Sequence, residues 1–176
     1  MTANPLMDLC AKHSVEPYDW QLAQKYVPDG RAPDLKIAPD GELYLARWYV
    51  VPRNGHGNVY FHLQVANDPE RPLHDHPWDN TSILLAGGYR EIIWDPKQNR
   101  GMGELEFRRD PGDVVHRPAE WAHRLFLPAG TAYSMSLFVT GPHRRDWGFW
   151  FPDGWRSHSE VIVTENGQSV FKGEMG

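Results

Sequence analysis

The chain has 176 residues, of which 40% are hydrophobic and 12% aromatic, and these values predict one globular domain with its own core. Its formal net charge of −5 argues against binding to nucleic acid or to an anionic membrane, because both require a basic surface. A single cysteine, Cys10, excludes an intramolecular disulfide. This cysteine content, together with a sequence that contains no transmembrane or signal-like stretch, predicts a cytoplasmic protein.

Residues 1–41 are the least regular part of the sequence. The segment from Asp19 to Val27 is typical of a short helix, with Asp19 as its N-cap and Pro28 after its end. The segment from 33 to 41 is typical of a loop. We therefore predict that residues 1–41 form a short, partly helical extension that packs against the main body or against another subunit.

From residue 42 the sequence becomes typical of β-strands. Residues 44–51 are rich in aromatic and β-branched side chains, and residues 58–65 alternate between an apolar and a polar face. We expect the apolar face of 58–65 to pack against a second sheet and the polar face to line a cavity. Further strands are predicted near the histidines at 74 and 76 and at 89–94, 104–108, 114–117, 123–127, 134–140, 147–151 and 160–164, with a loop from 95 to 103. Many short strands between Gly- and Pro-containing turns indicate an all-β sandwich or barrel.

Two histidines, His74 and His76, lie one residue apart in this series. Alternate residues of a strand point to the same side and lie about 7 Å apart, so both imidazoles could bind one metal ion with bonds of ~2.1 Å. The alternative is a pair of solvent-facing histidines in a Pro-rich loop. A third histidine, His123, begins a strand that follows a turn at residues 111–113.

These segments resemble the two motifs of the cupin superfamily. The first motif is matched by His74, His76 and Gly87, and the second by Pro111, Gly112, Asp113, Pro118 and His123. The chain is also similar to a bacterial and phage group of cupins that carries His-Asp-His-Pro-Trp-Asp, here residues 74–79. The resemblance implies a single cupin double-stranded β-helix, a jelly-roll barrel, over residues 42–165. Residues 166–176 would then form a C-terminal tail.

The resemblance also implies a metal site formed by His74, His76 and His123. Where the first motif usually has Glu, this sequence has Asn80, which is a poor ligand for transition metals. Strand alternation directs Asn80 towards the histidines, but a bend at Pro77 could turn Asp79 inward instead. Two ligand sets remain open: three histidines with water, or three histidines with Asp79. Similarity to three-histidine dioxygenases favours Fe(II), with Mn, Ni, Cu and Zn as alternatives, and a metal-free cupin is the remaining possibility.

Other polar residues are candidates for the same cavity. His116 and His62 could act as acid or base because imidazole titrates near neutral pH, although a structural role is favoured for each. Asp75 is expected to be solvated, with the orientation of a neighbouring histidine ring as the alternative. The aromatic segment 147–155 is expected to cover an edge or a subunit interface, with an aromatic cradle for substrate as the alternative. The remaining candidates are Tyr60 as a catalytic residue, Tyr89 as a polar group of the cavity, and Gln64, Arg90, Arg124 and Trp78 as substrate-binding residues. An inward arginine would bind a carboxylate through two hydrogen bonds.

Together these features favour a mononuclear non-haem Fe(II) oxygenase of the dioxygenase type, acting on a small organic substrate in the barrel cavity. One alternative is a cupin isomerase, epimerase or lyase, with the metal as a Lewis acid or absent. Another is a non-catalytic protein that binds a small ligand. Exposed strands and aromatic residues also suggest a homodimer.

Overall fold

Two six-stranded antiparallel sheets form the body of the protein in the computed structural model, which describes residues 4–38, 41–94, 103–165 and 168–172. The first sheet has the order β1 (Leu35–Ile37), β2 (Leu45–Tyr49), β3 (Asn58–Gln64), β10 (Ser134–Thr140), β5 (Asn80–Ala86) and β8 (Val114–Arg117). The second has the order β12 (Gly154–Ser157), β11 (Gly148–Phe151), β4 (Leu73–His74), β9 (His123–Phe126), β6 (Tyr89–Trp94) and β7 (Glu104–Arg109). This arrangement confirms the predicted all-β jelly roll.

The largest apolar cluster lies outside the barrel, between the first sheet and the N-terminal helices α1 (Pro5–Lys12) and α2 (Pro17–Tyr26). Its fully buried members include Leu6, Cys10, Trp48, Phe61 and Leu63. Burial raises the pKa of the Cys10 thiol to about 11. The apolar face of 58–65 thus packs against helices, and the prediction that it packs against a second sheet is wrong. The alternating pattern shows which face of a strand is apolar but does not show what covers it.

Several elements differ from the predicted boundaries. Strand β1 lies in the predicted loop 33–41, and helix α1 lies in a segment for which no helix was predicted. The predicted strand 160–164 begins instead as helix α3 (His158–Val161), because Ser157 and Glu160 form a capping box at its start, and continues as β13 (Ile162–Glu165). Strand β14 (Gln168–Phe171) pairs with β13 inside the predicted tail. Of the predicted loop 95–103, only residue 103 lies within the described residues.

The connection between β4 and β5 carries the chain from the second sheet to the first. Strand β4 ends at His74 and β5 begins at Asn80, so residues 75–79 lie between the sheets. The backbone of this connection is fixed at His76, whose N–H donates to the carbonyl of Ala119 at 3.0 Å. His76 therefore lies outside β4, although the sequence placed both histidines on one strand.

The turn from β5 to β6 requires its glycines. Gly87 and Gly88 have φ values of 75° and 114°, which L side chains rarely adopt. A Cβ at Gly87 would also lie 2.0 Å from the carbonyl oxygen of Tyr133. This turn places β6, which carries a buried glutamate, on the second sheet. Among the described residues, no helix is long and apolar enough to cross a membrane.

Candidate metal centre

Three histidines converge on the inner side of the second sheet. His74 lies directly opposite His123 where β4 pairs with β9, and His76 follows in the connection to β5. The ring centroids are 5.0–5.3 Å apart in all three pairs, and one ligand atom from each ring lies within 4.8 Å of the other two. The structure therefore brings together the three histidines that the sequence motifs singled out.

The state of these imidazoles fits a metal ligand set. Burial and the charges of neighbouring groups hold the pKa of His76 well below its usual range. Burial also lowers the pKa of His123 to about 4, although its hydrogen bond to Glu91 acts in the opposite direction. Both rings are therefore neutral at pH 7, which is the form that binds metal.

The spacing of the ring nitrogens is also that of two ligands on one ion. The Nε2 atoms of His76 and His123 lie 2.9 Å apart. Two nitrogen ligands with bonds of ~2.1 Å at right angles lie roughly 3 Å apart. Because Nδ1 of His123 bonds to a carboxylate, its proton is assigned to that nitrogen, and Nε2 keeps a free lone pair. In the metal-free chain, Nε2–H of His76 donates to this lone pair, and a bound cation would take the place of that proton.

Glu91, on β6, orients His123. Its carboxylate is fully buried and accepts hydrogen bonds from His123 Nδ1 at 2.9 Å, Arg117 Nε at 2.6 Å and Arg109 Nε at 2.8 Å. Burial raises the pKa of Glu91, but these bonds and charges outweigh it and hold the pKa well below its usual range. A carboxylate behind a histidine fixes the ring and increases its basicity towards a metal. Glu91 was not predicted from the sequence, because the neighbouring Arg90 was assigned to the cavity and alternation then places Glu91 on the opposite face.

Asp68 occupies the corresponding place behind His74. Its Oδ2 lies 3.8 Å from Nδ1 of His74 and accepts the backbone N–H of Leu125 at 3.0 Å. Tyr44 also hydrogen-bonds to Asp68, and burial together with this carboxylate raises the pKa of the Tyr44 hydroxyl well above its usual value. Tyr44 therefore stays protonated at the cavity wall.

The structure does not bring Asp79 to the histidines, which corrects its assignment as a possible ligand. The carboxylate of Asp79 is 38% exposed, accepts the N–H of Ala119 at 2.8 Å and forms an ion pair with Arg144 at 2.7 Å. These two partners hold its pKa below the usual range. Asn80 is buried on the inner face, as alternation predicted, and neither polar atom of its side chain has a partner among the described residues. Within those residues, the ligand set consists of the three histidines alone.

Asp75, between two of the histidines, is fully buried, and the expectation that it is solvated is wrong. Its carboxylate accepts the backbone N–H of Gly148 at 2.8 Å, Arg145 at 2.6 Å and the indole N–H groups of Trp150 and Trp155 at 3.1 and 3.0 Å. The β11–β12 hairpin is thus tied to the histidine-bearing connection. Part of the aromatic segment 147–155 lines the cavity, through Trp147 and Phe149.

A cavity of about 860 Å³ adjoins the histidines, with walls from both sheets. Of the residues predicted to line it, the structure places His62, Gln64, Trp78, Tyr89 and Arg124 there. Trp78 stacks on His76 with ring centroids 5.2 Å apart. Arg124 donates to the carbonyl of Arg71 at 3.0 Å, and Gln64 to that of Ala66 at 3.0 Å. The first sheet adds Arg47, Ser82, Ser134 and Ser136.

Three other candidates do not line the cavity, which corrects their predicted roles. His116 is exposed and hydrogen-bonds to Thr81 at 3.1 Å, and Arg90 is exposed and forms an ion pair with Glu106. Each precedes a buried inward residue, so strand alternation directs it outward. Tyr60 is buried but packs with its ring 4.6 Å from the guanidinium carbon of Arg47, and is not among the cavity-lining residues.

His62 lines the cavity in a defined protonation state. Its Nε2 accepts a hydrogen bond from Arg47 Nε at 2.8 Å, so its proton is assigned to Nδ1. Burial and the charge of Arg47 hold the pKa of His62 well below its usual range. The ring stacks on Phe138 with centroids 5.1 Å apart, and Phe138 in turn packs against His76 at 5.8 Å.

Comparisons with known proteins show similarity in fold. No protein-family model matches the chain, and no curated protein matches it. The DMSP lyase DddQ from Ruegeria pomeroyi is 17% identical, with 88% of this chain and 80% of that chain covered and a TM-score of 0.54. Fe(II)-HppE, crystallised with an alternative substrate, is 17% identical with a TM-score of 0.51. That alignment covers 64% of this chain but only 57% of the HppE chain. A cupin-2 domain from Rhodospirillum rubrum is 15% identical, with 67% and 71% covered and a TM-score of 0.48.

Proposed function

We propose that this chain, which has the fold of the cupin superfamily, is a metal-dependent enzyme. One divalent transition metal would be held by His74, His76 and His123. The observation that carries the proposal is the convergence of these imidazoles beside a polar cavity, with carboxylates of Glu91 and Asp68 behind two of them. Neutral imidazoles suit Fe, Mn, Ni, Cu and Zn, and the absence of a carboxylate ligand among the described residues leaves the cavity side of the site open.

More specifically, the proposed activity is that of a mononuclear non-haem Fe(II) oxygenase of the dioxygenase type. When bound, Fe(II) would supply one-electron chemistry towards dioxygen. Support comes from the three-histidine set and from the similarity in fold to a protein crystallised as an Fe(II) enzyme. The substrate would be a small organic molecule held in the cavity, and a homodimer stays a prediction.

The residues of the chain would orient this substrate and keep water from it. Trp78 and Phe138 pack against His76 and cover one side of the site. His62, which is neutral, offers a fixed N–H rather than a positive charge. Gln64 and Arg124 are partly engaged by backbone carbonyls, which limits their motion at the cavity wall.

The second candidate is a lyase or isomerase, and the pair formed by Tyr44 and Asp68 favours it. Both residues line the cavity, Tyr44 donates its hydroxyl proton to Asp68 in a hydrogen bond, and Asp68 lies 3.8 Å from Nδ1 of His74. The Asp68 carboxylate could accept a proton from a substrate, the step that eliminations and isomerisations require. DddQ, which the chain resembles in fold, is named as a lyase.

Metal analysis tests the site itself. Protein purified without added metal and then exposed to Fe(II) is expected to hold one ion per chain, and His74→Ala and His123→Ala to hold far less. His116→Ala is the matched control, because that histidine is exposed outside the cavity and should leave metal content unchanged. Wild-type protein that takes up no transition metal would contradict the proposal.

Oxygen dependence separates the two candidate activities. Fe(II)-loaded protein is incubated with a panel of small acids, thiols and diketones, with and without dioxygen. An oxygenase consumes dioxygen with substrate, whereas a lyase or isomerase turns over without it. Tight ligand retention without turnover in both conditions would indicate the non-catalytic alternative.

A further inference from the structure

Arg47 lies on the cavity face of β2, at the middle of that strand, between β1 and β3 of the first sheet. It pairs across β2 and β3 with His62, and both side chains line the cavity. Its guanidinium is held in place on two sides: Nε donates to His62 Nε2 at 2.8 Å, and the guanidinium carbon lies 4.6 Å from the Tyr60 ring centroid. These contacts orient the group without neutralising its charge.

The terminal nitrogens of Arg47 have no carboxylate partner among the described residues. The other arginines of the barrel interior are paired differently: Arg109 and Arg117 bind Glu91, and Arg145 binds Asp75. Arg124, which also lines the cavity, donates to a backbone carbonyl. Burial lowers the pKa of Arg47, because a cation without a countercharge is costly in a partly desolvated site. A negative charge in the cavity would offset this cost.

The surrounding wall offers further groups for an anion. On β10, Ser134 lies opposite Gln64 and Ser136 opposite His62, and the cavity is lined by all four side chains. Arg47, His74 and His76 line the same cavity, so one small molecule can face both the guanidinium and the histidines. The rings of His62, Phe138 and His76 are in contact in that order, so they form a continuous wall from Arg47 to the three histidines.

We propose that Arg47 binds a carboxylate of the substrate through its two terminal nitrogens, while the other end of the substrate reaches the three histidines. The substrate class would be a small organic acid with a second, metal-binding group. A planar carboxylate matches the fork of a guanidinium, and a fork already fixed by His62 and Tyr60 loses little freedom on binding. This inference rests on the proposed metal site only for the position of the metal-binding group of the substrate, and not for the contact between Arg47 and the carboxylate.

Calorimetric titration of the metal-loaded full chain with dicarboxylates from succinate to adipate, and with their monoamides, tests the proposal. A monoamide that places its one carboxylate on the metal leaves only its amide for Arg47. Wild type should therefore bind at least one diacid about tenfold more tightly than its monoamide, as expected for a charge-assisted bidentate pair. In Arg47→Gln this preference should disappear, with the monoamide affinity nearly unchanged. Arg47→Lys keeps the positive charge but not the two parallel N–H groups of the guanidinium, and it should retain only part of the preference for the diacid. Arg90→Gln, outside the cavity, should behave as wild type.

The same titrations on metal-free protein, with diacids and their diamides, separate this proposal from that of the metal site. A preference for the acid that depends on Arg47 supports the anchor even if the histidines hold no metal. Thermal melting shows whether each variant is folded. Equal preference in folded Arg47→Gln and wild type, or no preference in wild type, would overturn the proposal.

Discussion

At the scale of single residues, Glu91 both stabilises the fold and orients a histidine of the candidate metal centre. One buried carboxylate accepts bonds from His123, Arg117 and Arg109, which come from three different strands. Arg117 is itself fully buried and also donates to Ser82 and Tyr89. Removing the carboxylate would leave a buried cation without its countercharge and His123 without its orienting partner.

We expect Glu91→Ala to lower the free energy of unfolding by about 3–5 kcal/mol, as is typical when one partner of a buried ion pair is removed. Metal affinity should also fall by about 10–100-fold, because the ring of His123 loses its fixed orientation. Urea denaturation and metal titration measure the two effects. Glu106→Ala, which removes the exposed partner of Arg90 on the next strand, should cost less than about 1 kcal/mol. Similar losses in both variants would contradict this account.

At the scale of elements, the connection 75–79 is the part of the fold that assembles the site. It joins the two sheets, carries His76, and is held by Asp75 to the β11–β12 hairpin. On its far side Asp79 is held by Ala119 and Arg144. Both acidic residues of the motif therefore position the connection, and neither belongs to the histidine cluster.

Asp75→Asn should loosen this connection. The amide cannot match the ion pair to Arg145 while accepting from two indoles, so we expect a loss of about 2–3 kcal/mol in unfolding free energy and about tenfold weaker metal binding. Asp153→Asn is the control, because Asp153 is exposed in the turn of the same hairpin. If Asp75→Asn bound metal as wild type does, the connection would not depend on this carboxylate.

Local periodicity explains what could be predicted at these two scales. Alternation placed His62 and Gln64 on the cavity face and Asn80 inward, and the turn glycines at 87 and 88 are where the structure needs them. Periodicity failed where a partner distant in sequence decides the outcome. Asp79 is directed outward by its hydrogen bond with Arg144. Asp75 is directed inward by its hydrogen bonds with two tryptophans that lie 75 and 80 residues away. Arg47 and Glu91 were missed because alternation separates the two faces of a strand but does not show which face lines the cavity.

At the scale of the whole molecule, apolar packing and the candidate site occupy different faces of the same sheet. The cluster around Trp48 and Phe61 lies against the N-terminal helices, and the opposite face carries Arg47, His62 and serines. The resemblance to cupins supported the barrel but not the elements that cover it. Their positions depend on packing between distant segments, which no local pattern encodes.

The buried histidines predict how the stability of the metal-free protein depends on pH. The pKa of His123 is about 4 in the folded chain and about 6.5 when unfolded, so between these values only the unfolded chain binds the proton. Stability therefore falls as the pH falls through this window, by about 2 kcal/mol at pH 5 for this residue. His62 and His76 shift in the same direction and add to the loss.

Urea denaturation at pH 7 and pH 5 checks this prediction. Glu91 and Asp79 have lowered pKa values in the folded chain, so the stability that these carboxylates contribute is lost only below pH 5. They therefore do not affect the comparison between pH 7 and pH 5. His116→Ala should show the same loss as wild type, because that histidine is exposed. Equal unfolding free energies at the two pH values would count against neutral buried histidines.

The division between an apolar outer face and a polar inner face of the first sheet bears on how this protein can change over evolution. Substitutions on the cavity faces of β2, β3 and β10 alter the lining without removing contacts from the apolar cluster around Trp48. The cavity lining, and with it the substrate preference of the proposed enzyme, could thus change by single mutations that leave folding nearly intact. The same division makes this wall a suitable target for combinatorial libraries in which only the cavity-facing positions are randomised.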